Sequence, residues 1–257
     1  MKHIPRKRFG QNFLQDQGII HQIIECIAPT AADTIVEIGP GLAALTKPLI
    51  QRIGHLQVVE LDHDIIKFLQ ENFSHDEITI HSGDALQFDF SFNNAPIRVV
   101  GNLPYNISTP LLFHLSKFPN IKNMVFMLQD EVVKRICAKP GNGDYGRLSV
   151  MLQYKFKCRK LLDVPPESFY PAPKVNSAIV SLTPRDAAVW QEVNENKLNL
   201  VVSTAFNQRR KTVSNSLKAL FSAEELKNSA INPQNRAENL AIEDYLRLAQ
   251  NLVSKPL

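Results

Sequence analysis

Ile35-Val36-Glu37-Ile38-Gly39-Pro40-Gly41 is a short apolar run that ends in a glycine turn, and a helical pattern follows it from Leu42 to Ile53. A strand followed by a helix is the repeating unit of an α/β fold, and the same alternation recurs downstream. His55 to Glu60 reads as a second strand, and Asp62 to Phe73 as a helix with Ile65, Ile66 and Leu69 on one face. Ile78 to Ile80 is a third strand, ending before Gly83-Asp84. Ile97 to Val100 is a fourth, stopped by Gly101 and followed by a helix with Ser108 as its cap and Pro110 in its first turn. Val125 to Leu128 and Glu131 to Ala138 add a fifth strand and its helix. Strands alternating with helices predict a parallel sheet covered on both faces. The stretches Ser149–Val164 and Ala178–Leu182 are expected as antiparallel strands at the sheet edge. After Thr183-Pro184-Arg185 the β character gives way to short helices over Leu198–Phe206, Val213–Phe221, Glu224–Asn228 and Glu243–Leu252. The expected division is an α/β domain over residues 1–184 and a small all-helical domain over 185–257.

Composition narrows the function classes. The hydrophobic share of 44% against 21% charged residues is that of a globular protein. A net charge of +4 permits an anionic partner without demanding one. No apolar run reaches membrane-spanning length and no signal-like segment opens the chain, so a soluble cytoplasmic protein is expected. Cys26, Cys137 and Cys158 form no Cys-x-x-Cys pair, and the histidines are scattered, so neither a disulfide framework nor a metal site is expected.

In an open parallel sheet, ligands bind beyond the carboxyl ends of the strands, near the point where strand order reverses. Glu37, Gly39 and Gly41 close the first strand, Glu60 the second, Gly83-Asp84 the third and Asn102 the fourth. Glycines allow a tight turn and close backbone approach; a carboxylate at the second strand end can accept both ribose hydroxyls; Asp84 is placed to accept from an adenine amino group. The pattern describes an adenosine-containing cofactor. Gly39 to Ala44 satisfies the loose dinucleotide fingerprint, but Pro40 removes an amide from a loop that would have to cradle pyrophosphate. S-adenosylmethionine, which carries no phosphate, suits the loop better than NAD. Asn102-Leu103-Pro104-Tyr105 adds two acceptors and a flat ring at a strand end, a set suited to an exocyclic amine on a nucleobase, although Asn-x-Pro alone is a common turn.

Taken in order, Gln11-Asn12-Phe13-Leu14, Val36 to Gly41, Glu60-Leu61-Asp62, Gly83-Asp84, Gly101 to Ile107 and Phe169 to Val175 resemble the bacterial ribosomal RNA adenine N6,N6-dimethyltransferases that act on small-subunit (16S) RNA. The resemblance runs from Arg6 to Leu252. Relatives that methylate large-subunit RNA share most of these motifs, and Ala205 to Thr212 favours the small-subunit branch. The resemblance implies a class I (Rossmann-like) methyltransferase sheet and S-adenosylmethionine-dependent dimethylation of adenosines, two adjacent ones near the 3′ end, during ribosome biogenesis. Carried over by position, it assigns cofactor contacts to Asn12, Leu14, Gly39, Glu60, Asp84 and Asn102. Target-base handling falls to Asn102, Leu103, Tyr105 and Phe169, with the Asn102 oxygen and the Leu103 carbonyl accepting the amine and the two rings stacking on the base. The implied partner is the immature small ribosomal subunit, met by a monomer. Two positions depart from the family pattern: Ala43 stands where many relatives have a third glycine, and Asp130 where a basic residue is frequent. An NAD oxidoreductase and a non-catalytic assembly factor on the same fold are the competing classes.

The densest basic runs are Arg6-Lys7-Arg8 and Arg209-Arg210-Lys211. A continuous helix would place Arg209 and Arg210 on the stripe shared by Phe206 and Val213. A helix break near Asn207-Gln208 is therefore expected, with the cations turned outward as a phosphate-binding surface across the interdomain cleft, and RNA binding that weakens with salt.

Overall fold

The computed structural model describes residues 12–91, 95–104, 107–185 and 193–252. Nine strands are described, β1 (Phe13–Leu14), β2 (Ile35–Ile38), β3 (Leu56–Glu60), β4 (Ile78–Ser82), β5 (Ile97–Asn102), β6 (Ile121–Gln129), β7 (Phe156–Val164), β8 (Phe169–Tyr170) and β9 (Ser177–Pro184). The first unit carries α1 (Gln17–Ile27), α2 (Thr46–Ile53), α3 (His63–Asn72) and α4 (Ser108–Leu115), and α5 (Asp130–Cys137) leads out of it. The second carries α6 (Arg147–Gln153), α7 (Glu195–Asn207), α8 (Val213–Ser216), α9 (Ala223–Asn228) and α10 (Ile242–Asn251).

Seven strands form one sheet in the order β4-β3-β2-β5-β6-β9-β7, with β1 and β8 a separate antiparallel pair. The pairs from β4 to β6 are parallel and β9 runs antiparallel to β6. Strand order reverses at β2 and β5, which lie side by side. Register then decides which residues share a face. Glu37 pairs with Val58 on one side and Val100 on the other, so these three point the same way. Two residues further along, Glu60 and Asn102 point that way too. Val58 and Val100 join a buried cluster with Ile20, Ile23, Ile24 and Ile27 of α1, Leu49 of α2 and Leu69 of α3. Val36, Ile38, Val59, Val99, Met124 and Phe126 turn to the opposite face and are also buried. Both faces are covered, as a parallel sheet requires.

Local chemistry explains the helix starts. Asp16 caps α1 by accepting from the Gly18 and Ile19 amides at 2.8 and 3.1 Å, and Asp62 caps α3 through the Asp64 amide at 3.0 Å. The expected cap at Ser108 is not formed: Ser108 is the first helical residue, buried, with Ile107 at the cap position. The expected helix from Leu42 begins only at Thr46, because Ala43 adopts a left-handed φ of 66° that a helix cannot include. Gly101 does not stop its strand, which runs on to Asn102. Its missing side chain serves close approach instead, since a Cβ there would stand 2.5 Å from the Ile38 carbonyl oxygen.

The second unit comprises Lys134–Cys158 together with Arg185–Leu257. One break falls after Pro184, but the expected division assigned residues 134–158 to the sheet domain, and they group with the helices instead. The reason is α6, which packs against α7 and α10. Ser149 to Gln153, expected as strand, is helical. Ser149, Val150, Met151 and Leu152 are all buried, so no polar stripe marks the helical period and the run imitates a buried strand. Among the described residues no helix is long and apolar enough to cross a membrane.

Replacing Gly101 with alanine overpacks the β2–β5 contact against backbone, which has no rotamer to yield. Urea unfolding of Gly101→Ala should show a loss of about 1–3 kcal/mol; an unchanged midpoint would mean that the two strands are not held this closely.

Candidate active site

A cavity of about 390 Å³ opens where the carboxyl ends of β2, β3, β4 and β5 meet. Its lining includes Asn12, Leu14, Glu37, Gly39, Gly41, Glu60, Asp84, Asn102 and Leu103, together with Leu42, Leu61 and Asp62. The structure thus brings together every cofactor residue expected from the strand ends and motifs. Phe13 and Leu14 reach it through β1, whose pairing with β8 sets Leu14 opposite Phe169.

Glu37, Glu60, Asp62 and Asp84 give the lining four carboxyl groups, and among the described residues no lysine or arginine belongs to it. Glu37 is 2% exposed. Its Oε2 accepts from Thr46 Oγ1 at 2.7 Å, which ties the first residue of α2 to the centre of β2. Burial, with the neighbouring Glu60 charge adding to it, raises the Glu37 pKa from the usual glutamate range to about 7. Burial also raises Glu60, although the Leu61 and Asp62 amides both donate to its Oε1 at 2.8 Å. Glu60 Oε1 is therefore oriented by the chain. Asp84 is held in the same way, its Oδ1 accepting from Leu86 N at 2.9 Å.

The glycine turn has few amides to spare. Gly39 and Gly41 take left-handed φ values of 66° and 54°. The Gly39 N–H donates to the Val59 carbonyl at 3.0 Å, Pro40 has none, and the Gly41 N–H faces the Glu60 carboxylate. A pyrophosphate would meet four carboxyls and a turn whose Gly39 and Gly41 amides are engaged and whose Pro40 has none. Ala43, the residue in the third-glycine position, does not line the cavity. Its left-handed φ shows that this position demands a backbone conformation and not closeness to a ligand.

At the β5 end, Asn102 Nδ2 donates to the Asn12 carbonyl at 3.3 Å. That contact fixes the amide orientation and leaves Oδ1 with no donor among the described residues. The Leu103 N–H donates to the Met127 carbonyl at 3.2 Å, anchoring the next peptide while its own carbonyl accepts nothing among the described residues. Two acceptors on consecutive residues of the cavity lining are thus unpaired among the described residues.

Other expected residues lie elsewhere. Tyr105, Arg6, Lys7 and Arg8 fall outside the described residues. Phe169, expected to stack on a target base, is 5% exposed and packs in the core cluster with Leu14 and Ile179; the exposed ring of this segment is Tyr170, at 63%. Strand alternation, which sends neighbouring residues to opposite sides, is the signal that separates the two. Asp130 is held by Lys160 at 2.7 Å, so the acid that departs from the family pattern has a local partner. Helix α7 ends at Asn207. Arg210 and Lys211 are exposed, and Arg209, its side chain 40% exposed, is paired with Glu238 at 2.7 Å. Leu42 and Leu61, both exposed at the cavity rim, were not anticipated; large apolar side chains in solvent beside a cavity are what a bound ring would cover.

Comparison with known proteins agrees with this arrangement. A family model described as ribosomal RNA adenine dimethylase matches residues 2–253. Ribosomal RNA small subunit methyltransferase A from Chromobacterium violaceum is 54% identical, over 99% of this chain and 98% of its own length. The protein of that name from Aromatoleum aromaticum is 52% identical, over 99% and 96%. Among solved structures, a dimethyladenosine transferase from Plasmodium falciparum aligns with a TM-score of 0.79 at 26% identity, over 92% of this chain and 95% of that one. The 23S rRNA methyltransferase ErmE aligns at 0.75, also 26% identical, over 94% and 99%. The sheet is accordingly that of the class I methyltransferases, and the chain belongs to the ribosomal RNA adenine dimethylase family.

Proposed function

We propose that the cavity takes S-adenosylmethionine and that the protein transfers methyl groups to N6 of adenosines in small-subunit ribosomal RNA. The observation that carries the reading is the cavity lined by four carboxyl groups at the strand-order reversal, since it favours a cationic, phosphate-free nucleoside over a dinucleotide. The Glu60 carboxylate suits ribose hydroxyls, Asp84 an adenine amino group, and the rim leucines the adenine faces. When bound, the sulfonium supplies an electrophilic methyl. Naming small-subunit RNA as the substrate rests on relatives 52 and 54% identical over nearly their whole length.

The chain's own part in the reaction is positioning. Adenine N6 is a weak nucleophile because its lone pair is delocalised into the ring. Asn102 Oδ1 and the Leu103 carbonyl accept its two N–H groups and favour a pyramidal nitrogen with the lone pair turned toward the donor. As bonding proceeds the amine becomes positive, and both acceptors hold its protons more strongly than before, so they stabilise the transition state more than the ground state. Tyr105 supplies a stacking face for the flipped base, worth about 1–3 kcal/mol against an unstacking cost of a few kcal/mol. Arg6, Lys7, Arg8, Arg210 and Lys211 contribute phosphate attraction. The protein acts as a monomer in the cytoplasm on immature subunits.

Nucleoside analysis after incubation with labelled donor should find N6,N6-dimethyladenosine in unmodified small-subunit particles and no label in large-subunit RNA. Label confined to large-subunit RNA would overturn the substrate, and tight particle binding without any label would favour an assembly factor.

Glu37 gives a second expectation. Because its folded pKa is raised to about 7, the stability it confers is complete below its unfolded pKa and is lost as pH rises through 7. Glu37→Gln keeps an acceptor for Thr46 and removes that loss. Thermal melts should therefore show the variant more stable than wild type at about pH 8.5 and similar at about pH 4, while its donor binding is weaker at the higher pH. Equal stability at both pH values would mean that the carboxyl is not desolvated in the fold.

A further inference from the structure

Three segments of the second unit meet around Arg209. Its Nε donates to Glu238 Oε2 at 2.7 Å, and its Nη2 to the Gly143 carbonyl at 2.5 Å. The Glu238 carbonyl in turn accepts from the Gly141 N–H at 2.7 Å, and Thr212 bridges Arg236 across an antiparallel pair. The exposed loop 139–144, the basic turn 209–212 and the segment 236–238 are therefore one assembly. A planar guanidinium spans two acceptors of different kinds, which a lysine point charge does not. The charge of Arg209 is answered by Glu238, whereas Arg210, Lys211, Lys139 and Arg236 are exposed and form no ion pair among the described residues. Asp144 is the exposed acid of the loop.

Gly143 is exposed, takes no left-handed φ, and an added Cβ would meet nothing within 4 Å. Neither conformation nor internal packing calls for a glycine there. A bare backbone is what a closely approaching partner requires.

We propose that Arg209 is a strut and not a phosphate ligand, and that it fixes the Gly141–Gly143 loop beside Arg210, Lys211 and Arg236 as one surface for the ribosomal RNA sugar–phosphate backbone, with Gly143 at the point of closest approach. The proposal rests on the reading that ribosomal RNA is the substrate. It divides three consecutive basic residues into one that shapes the surface and two that carry its charge.

The test is equilibrium binding of the full chain to unmodified small-subunit particles across a salt series, with thermal melts and amide exchange of the loop. Arg210→Gln and Lys211→Gln should each reduce the salt slope by about 1. Arg209→Lys keeps the charge and loses the fork; it should weaken binding about tenfold with the slope unchanged and with faster exchange at Gly141. Gly143→Val should weaken binding similarly while melting like wild type. If Arg209→Lys binds as wild type does and Arg209→Gln loses about one unit of slope, Arg209 is a phosphate ligand and the strut is wrong. If Gly143→Val binds as wild type does, the loop lies off the surface. Failure of the wild-type protein to bind the particles would remove the functional reading itself, and the loop exchange measured on Arg209→Lys would still report on the strut alone.

Discussion

The close approach of β5 to β2 is the constraint on which the rest of the sheet domain depends. Only a residue without a side chain lets the two strands pass at Gly101 and Ile38, and once they do, Glu37 pairs with Val100. From that register the strand pleat sends Glu37, Glu60 and Asn102 to one face, just beyond the apolar pairs that α1, α2 and α3 cover. The cavity is the space left where the packed cluster ends and the strands have not yet turned away. Its position follows from the reversal of strand order, and its chemistry from what the last residue of each strand carries.

That chemistry has a cost within the fold. Glu37 is buried at the centre of the sheet with a hydroxyl as its hydrogen-bond partner, a placement that burial penalises whenever the carboxyl is charged. The neighbouring Glu60 carboxyl adds to the penalty. A pocket selected for stability alone would carry apolar or paired groups here. Four acids around an amide-poor glycine turn make sense when the occupant is cationic and brings no phosphate, since the same ligand offsets the repulsion and asks nothing of the missing amides.

Much of this is legible in the sequence, for identifiable reasons. β2, β3 and β5 are short apolar runs closed by turn residues, and α3 shows a clean helical stripe at Ile65, Ile66 and Leu69. The strand-end acids stand out because they interrupt those runs. What escapes the sequence is long-range or conformational. α6 has no polar stripe because it is buried on all sides, so its segment imitates a strand and its membership in the second unit is hidden. Phe169 and Tyr170 are adjacent rings whose fates differ only by the alternation of a two-residue strand. The left-handed backbone at Ala43 is invisible in a residue that rarely adopts it. Arg209 looks like its two basic neighbours until Glu238 and the Gly143 carbonyl are brought to it from distant parts of the chain.

At the end of β5 the Asn102 amide donates to the Asn12 carbonyl, which leaves Oδ1 without a donor among the described residues; it is the acceptor we propose for the target amine. The decisive measurement is the single-turnover methylation rate of Asn102→Ala on unmodified small-subunit particles at saturating donor. A fall of about a hundredfold or more, with the fold and particle binding intact, is the predicted result; a rate equal to wild type would contradict it.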